Sequence, residues 1–416
     1  MSAGLRRVLV LVPGPLGENL SGPEIRGWEF AKALSSAYEV TIAANRSSDC
    51  EREGIRVVAS SRRRIAREAM HHDAVISGCL PPYLLALKPL HRFLAISDQY
   101  DPHELELATL DAGRRRDRAL RSRAAIQSLQ LRSADVVLCA GERQREELIR
   151  ASRSIGQERA LDPVVLPFGI SERPRTVGLR PLHERFAQLA DSDTVVLWWG
   201  SVWRWLDAET PVRALALLAA SHPEIKLVIT AGKPSNKSAE RLFDATEEIR
   251  SLASELGVLG RNVLFLDEWI PYQERYEYMG EANIGLTLHR HADEARLAAR
   301  ARYMDYLSAG LPCVLGRGDE TAEEFGRAGF ASLLEDPDAE QLAALLIALA
   351  EHPERLATAR LAGERLAAEY SWSAVGAKLR AAVAEAAVER PSRPPLLGAT
   401  ARYYARRLVD HLVAAG

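Results

Sequence analysis

Short runs of consecutive aliphatic residues recur at 8–12, 40–43, 55–58, 74–76, 93–96, 136–138 and 164–166, and stretches of helical spacing separate them. Strands that are apolar on both faces and joined by helices predict a parallel sheet covered on both sides. A polar, proline-containing stretch at 171–192 interrupts the pattern, and a second series follows at 195–198, 226–230, 263–266, 284–287, 313–315 and 331–333. The prediction is two α/β domains in tandem, with ligand chemistry outside the carboxyl ends of the strands. The remainder is helical over 336–369 and 374–388, with a last amphipathic stretch at 403–413 that suits packing onto the protein better than membrane contact.

Size agrees with this division, because 416 residues exceed one ordinary core. Hydrophobic content of 47%, charged content of 26% and a net charge of -2 describe a soluble globular chain and exclude a general nucleic-acid binder. Cys50, Cys79, Cys139 and Cys313 are widely spaced and read as reduced and structural. The apolar start at 8–12 is too short to span a bilayer and ends at Pro13 and Gly14, which makes it a first strand rather than a signal peptide and predicts a cytoplasmic protein. The arginine runs at 62–64 and 114–118 read as solvated helix faces, which an anionic acceptor or a lipid surface would also use.

The strand ends carry the candidate chemistry. A glycine-rich loop at 13–23 feeds a helix beginning near Gly22, where exposed backbone N–H groups attract an anion; the pattern is not G-x-G-x-x-G. Asp98 leaves the strand at 93–96 at the end where an acid orients a hydroxyl or takes its proton, and His103 follows in the same loop without an evident partner. No metal-ligand spacing stands out, since His289 and His291 alternate to opposite sides of an extended segment. In the second half, Trp198 reads as core, whereas Trp203 and Trp205 offer flat faces for a sugar or base. Arg204 and Asp207 share that loop, and Lys233 lies in the next one. Residues 293–309 read as one helix bearing Glu294, Arg296, Arg300 and Arg302, ended by Gly310 and Pro312. Planar guanidinium forks suit a diphosphate leaving group; the alternative is a solvated face with Glu294 paired to neighbouring arginines.

Ordered stretches tie these positions together: Ser21 to Arg26, Asp98 to Pro102 with Glu106, Gln144 with Arg145, Pro167 to Gly169, Trp199 to Asp207, and Glu294 through Asp305 and Tyr306 to Pro312, with Gly318 and Asp319. Over residues 7–385 the chain resembles the family-4 glycosyltransferases of GT-B fold. The resemblance implies two Rossmann-like domains with parallel sheets facing across a cleft. Residues 1–180 would hold the acceptor and 190–372 the nucleotide sugar, with 373–416 returning to the first domain. It further implies retention of anomeric configuration, no metal and no cofactor beyond the donor, with arginines and helix N-termini stabilising the departing diphosphate. Of the family's two glutamates seven residues apart, the second falls on Asp305 and the first on Leu297, with Glu294 as substitute; the usual arginine and lysine after the second domain's first strand have no clean match near Ser201 and Asp207. The resulting expectation places Asp98, Glu294 and Arg300 in catalysis, and Gly22, Gly200, Trp203, Arg204, Asp207, Lys233, Arg296, Arg302 and Asp305 at the donor. The acceptor would be a glycan, a lipid-linked glycan or a small natural product, with peripheral membrane contact in the lipid-linked case. A sugar-nucleotide epimerase and a non-catalytic partner of an active transferase are the alternatives.

Overall fold

A computed structural model describes residues 5–45, 49–88, 91, 93–157, 160–171, 178–232, 242–290 and 292–389. Lys233, His291 and the stretch 403–413 lie outside the described residues. Internal contacts divide the chain into two units, Met1–Phe168 with Trp372–Gly416, and Gly169–Ser371.

The first unit is built on β1 (Arg7–Val12), β2 (Glu39–Ala44), β3 (Cys50–Arg52), β4 (Ile55–Ala59), β5 (Ala74–Ser77), β6 (Leu94–Asp98), β7 (Val136–Cys139) and β8 (Val164–Val165). Their order in the sheet is β3-β4-β2-β1-β5-β6-β7-β8. Every neighbouring pair is parallel except β3 with β4. The aliphatic runs account for seven of these strands; β3 escapes the pattern because Cys50 and Glu51 are exposed. It is a hairpin edge made by Glu53 (φ 50) and Gly54 (φ 75), the two left-handed residues that a tight hairpin turn requires. β6 runs on to Ser97 and Asp98, polar residues that are buried because each has a partner. The helix Trp372–Glu389 packs on the helix Gly22–Ser35. There Arg380 Nη1 donates to Ala33 O at 2.8 Å. The Trp372 ring meets Phe30 and Phe168 edge-on at 6.3 and 5.2 Å between centroids.

The second unit orders β9 (Thr194–Trp198), β10 (Ile225–Thr230), β11 (Val263–Leu266), β12 (Ile284–Thr287), β13 (Cys313–Gly316) and β14 (Ala331–Leu334) as β11-β10-β9-β12-β13-β14. All neighbouring pairs are parallel. Gly285 in β12 leaves room for a ring: a Cβ there would lie 2.8 Å from Tyr306 Cδ1. Tyr306 is fully buried, accepting from Trp199 N at 3.1 Å and reaching Leu286 O at 2.9 Å, so its ring cannot retreat. Gly285→Ala is expected to cost about 1–3 kcal/mol by overpacking, read as a lower midpoint in urea unfolding. An unchanged midpoint would show that the ring yields.

Residues 293–309 are not one helix. The chain is helical over Ala292–Leu297, leaves the helix, and resumes at Ala301–Ala309. The interruption has a reason in the Glu294–Arg300 pair, whose Nη2 and Oε2 atoms stand 2.7 Å apart. Residues six apart on a continuous helix are separated by about 9 Å of rise and point in different directions, so they could not meet. Arg300 instead takes an extended conformation (φ -87, ψ 107) and turns back to the acid.

Candidate functional site

The carboxyl ends of β9, β10, β12 and β13 gather the polar residues of the second unit. β9 ends in Trp198, and Gly200 follows with φ 84, a left-handed turn that glycine adopts without strain. Its N–H donates to Thr230 Oγ1 at 2.6 Å, and Ser201 Oγ reaches Gly232 O at 3.3 Å, which ties the loops after β9 and β10 together. Arg302, on the first turn of the helix Ala301–Ala309, lies over this turn. Its Nη2 donates to Ser201 O at 2.9 Å, and a Cβ at Gly200 would stand 3.6 Å from that nitrogen. Arg302 Nη1 finds no acceptor among the described residues. The residue is half-buried with Nη1 itself out of contact with solvent, and burial pushes the guanidinium down to about 10, with the Arg300 charge adding to the effect. A cation so placed gains from an anion.

One turn further on, Asp305 accepts from Trp199 Nε1 at 3.1 Å and faces Arg275 Nε at 3.2 Å. Burial raises its carboxyl above the ordinary value, while Arg275, Trp199 and Arg302 pull the other way. With its side chain still 19% exposed, Asp305 keeps lone pairs for further donors such as paired hydroxyls. Arg275 had no signal in the sequence, since an arginine at the start of a short helix looks like any other; Trp199 stood in a stretch already singled out, but its bond to Asp305 was not legible.

Next to these residues Glu294, Arg300, Tyr303 and Asp319 form a buried group, with the half-buried His289 at its edge. The Glu294 and Arg300 side chains are only 3% and 6% exposed, so the pair is a buried one. Burial opposes the Arg300 charge, but Glu294, Tyr303 and Asp319 outweigh it and hold the guanidinium above its usual pKa. Burial lifts Asp319 to about 6 even though it caps the helix Glu320–Ala328 by accepting from Ala322 N at 2.7 Å. Arg300 Nε and His289 Nδ1 are buried atoms without hydrogen-bond partners among the described residues, whereas Tyr303 and Asp319 face each other closely enough to interact.

His289 lies 3.0 Å from Arg317 O through Nε2, so that nitrogen carries the hydrogen and Nδ1 presents a lone pair. Burial, and then the Arg300 charge, push its pKa down to about 4. The unfolded chain therefore binds the extra proton between about pH 6.5 and 4, and this residue's contribution to stability is lost as pH falls through that window. Asp319, raised to about 6, acts in the opposite sense over much of the same range. The expected result is that the stability gap between the natural chain and His289→Gln narrows as unfolding is followed from pH 7 down to 4. A gap independent of pH would remove the assignment.

The other expected donor residues lie less centrally. Trp203 is half-buried and stacks on Trp205, with centroids 5.5 Å apart and planes 16° from parallel. Trp205 is buried against Phe243 and belongs to the core rather than to an open platform. Arg204 points to solvent and pairs with Glu248 at 2.5 Å. Asp207 accepts from Thr210 N at 3.1 Å and Thr210 Oγ1 at 2.7 Å, fixing the start of the helix Glu209–Leu218. Arg296 is half-buried on the helix Ala292–Leu297.

In the first unit, Asp98 is not a free acid. Arg26 Nε and Nη2 donate to its two oxygens at 2.6 and 2.9 Å, and Nη1 and Nη2 donate to Pro167 O and Leu166 O at 3.1 and 3.0 Å. The Phe30 and Tyr100 rings flank the guanidinium at 4.6 and 4.8 Å. Gly22 begins its helix, and a carboxylate already stands at that end: Glu24 accepts from Ser21 N at 3.1 Å and from Ser21 Oγ, which disfavours a second anion there. Asp98 and Arg26 form part of the wall of a cavity of about 440 Å³ at the carboxyl ends of the strands, shared with Tyr83, Asp101, His103 and Arg123. Against the expected lack of ligand spacing, Asp101, His103 and Glu106 hold their ligating atoms within 4.8 Å of one another.

No protein-family model matches the chain. It is 30% identical over 193 residues to D-inositol 3-phosphate glycosyltransferase of Thermobispora bispora, covering 45% of this chain and 42% of that protein, so the match spans less than half of either. Sucrose-phosphate synthase from Thermosynechococcus elongatus superimposes with a TM-score of 0.66 at 15% identity over 90% of this chain and 98% of that one. HepE of Anabaena, solved in complex with UDP and glucose, does so with a TM-score of 0.67 at 15% identity over 91% and 100%. Two parallel-sheet α/β units with these structural neighbours establish that the chain has the GT-B glycosyltransferase fold.

Proposed function

We propose that this chain is a glycosyltransferase that moves a sugar from a nucleotide-sugar donor to an acceptor with retention of configuration, without a metal at the diphosphate. The observation that carries the reading is Arg302, whose Nη1 lacks an acceptor while its Nη2 is anchored on Ser201 O beside the Gly200 turn. A leaving diphosphate seated there would receive a preorganised guanidinium, the electrostatic stabilisation its developing charge needs. Asp305, with Trp199 and Arg275 holding it, would accept the ribose hydroxyls. Gly200 and the half-buried Trp203 would border the donor, with Lys233 and Arg296 adding positive charge. Arg204 and Asp207, committed to Glu248 and Thr210, would shape the loop. The acceptor hydroxyl would attack on the face the diphosphate leaves, with a phosphate oxygen taking the proton. The partial relative and the UDP- and glucose-bound neighbour support a nucleotide sugar as donor. The name of the same relative, which specifies a phosphorylated polyol, supports a small polyhydroxylated acceptor; a lipid-linked acceptor would bring the protein to a membrane surface. No described helix is long and apolar enough to cross a bilayer.

The test is a thermal-shift screen of nucleoside diphosphates and nucleotide sugars on the full chain, because a ligand that binds only the native state raises the midpoint by mass action. One diphosphate series should stabilise the protein selectively, and its sugar should pass to an added acceptor. Stabilisation by none would overturn the proposal, and conversion of the donor alone to an epimer would replace it with the epimerase reading.

A further inference from the structure

We propose that Asp101, His103 and Glu106 form a binding site for a divalent transition-metal ion at the rim of the first unit's cavity. The three come from one six-residue stretch that follows β6, Asp101, Pro102, His103, Glu104, Leu105 and Glu106. His103 Nδ1 lies 2.7 Å from Glu106 Oε2 and 3.6 Å from Asp101 Oδ2. Tetrahedral zinc with bonds near 2 Å separates neighbouring ligand atoms by about 3.3 Å, so an ion enters with shifts of well under an ångström per atom.

Chemistry supports the same reading. One imidazole nitrogen and two carboxylates suit zinc, manganese or cobalt better than calcium or magnesium, which prefer all-oxygen shells. The two carboxylates crowd a single histidine, an arrangement that a dication relieves more fully than one imidazolium. Backbone geometry is set before any ion arrives, because His103 N donates to Asp101 O at 2.9 Å and Glu106 N to Pro102 O at 3.3 Å. Ligands this close in sequence lose little chain entropy on chelation. Glu106 is 13% and Asp101 29% exposed, whereas His103 is 53% exposed, which provides an entry path. Asp101 and His103 also line the cavity wall, so the ion would fix the loop there and keep a coordination position for water or a ligand hydroxyl. This site is built wholly from residues of the first unit and does not depend on sugar transfer.

The experiment titrates zinc chloride, manganese chloride and magnesium chloride into the full chain after dialysis against chelator, by calorimetry, and follows cobalt by its visible ligand-field absorption. The expected result is one saturable zinc site, weaker manganese binding and no magnesium binding. His103→Asn and Glu106→Gln should each weaken zinc by about tenfold or more. His222→Asn, at a half-buried histidine in the second unit, should leave it unchanged. Thermal midpoints without metal establish that each variant is folded, and zinc should raise the midpoint of the natural chain but not of the two site variants. Absence of saturable binding at millimolar zinc, or zinc binding by His103→Asn and Glu106→Gln as tight as that of the natural chain, overturns the proposal.

Discussion

Arg302→Gln should lower kcat/KM for sugar transfer by about 10²–10³ with little change in folding stability. Glutamine ends about two atoms short of the guanidinium, so what disappears is the charge together with the single contact to Ser201 O. Arg302 is half-buried with an unpartnered Nη1, whereas Arg300 is committed to Glu294. Arg302→Lys should recover only part of the rate, because an ammonium cannot hold Ser201 O and present a second donor in the same plane. Nucleoside diphosphate affinity should fall alongside the rate. Were Arg302→Gln to bind the diphosphate and turn over like the natural chain, the leaving-group assignment would be lost.

Glu294→Ala should destabilise the protein by about 3–5 kcal/mol, because it strands the Arg300 charge in a buried place. The double change Glu294→Leu with Arg300→Met should recover much of that loss, since removing both charges leaves no ion without its partner. Urea unfolding of the two singles and the double gives the coupling directly. Loss below about 0.5 kcal/mol in Glu294→Ala would mean that water reaches Arg300 and the pair is not sealed. The pair also has a positioning role. By pulling Arg300 out of the helix it sets where Ala301–Ala309 begins, and so where Arg302 and Asp305 stand. A rate measurement on the stable double variant separates this from direct catalysis: a shift confined to KM for the donor reports displaced binding residues.

Aliphatic runs located the parallel strands because burial on both faces leaves no other composition for them. The exposed hairpin strand β3 had no such constraint and was invisible. Among site residues, the arginine cluster was legible from its density, but its geometry was not. Helical spacing placed Arg296 and Arg300 in one row, whereas the Glu294–Arg300 pair breaks that row. Asp98 was found at its strand end, yet its committed partner, Arg26, lies 72 positions away. Arg275 meets Asp305 across a similarly unpredictable fold contact.

Local spacing by itself therefore determined the alternation of strands and helices, the break between two α/β halves and the loops in which polar chemistry collects, since burial patterns act over a few residues. Only the tertiary structure decided which charges are spent on each other and which remain for a ligand. That choice depends on which distant side chain fills each buried hydrogen-bonding position, and distance along the chain carries no record of it.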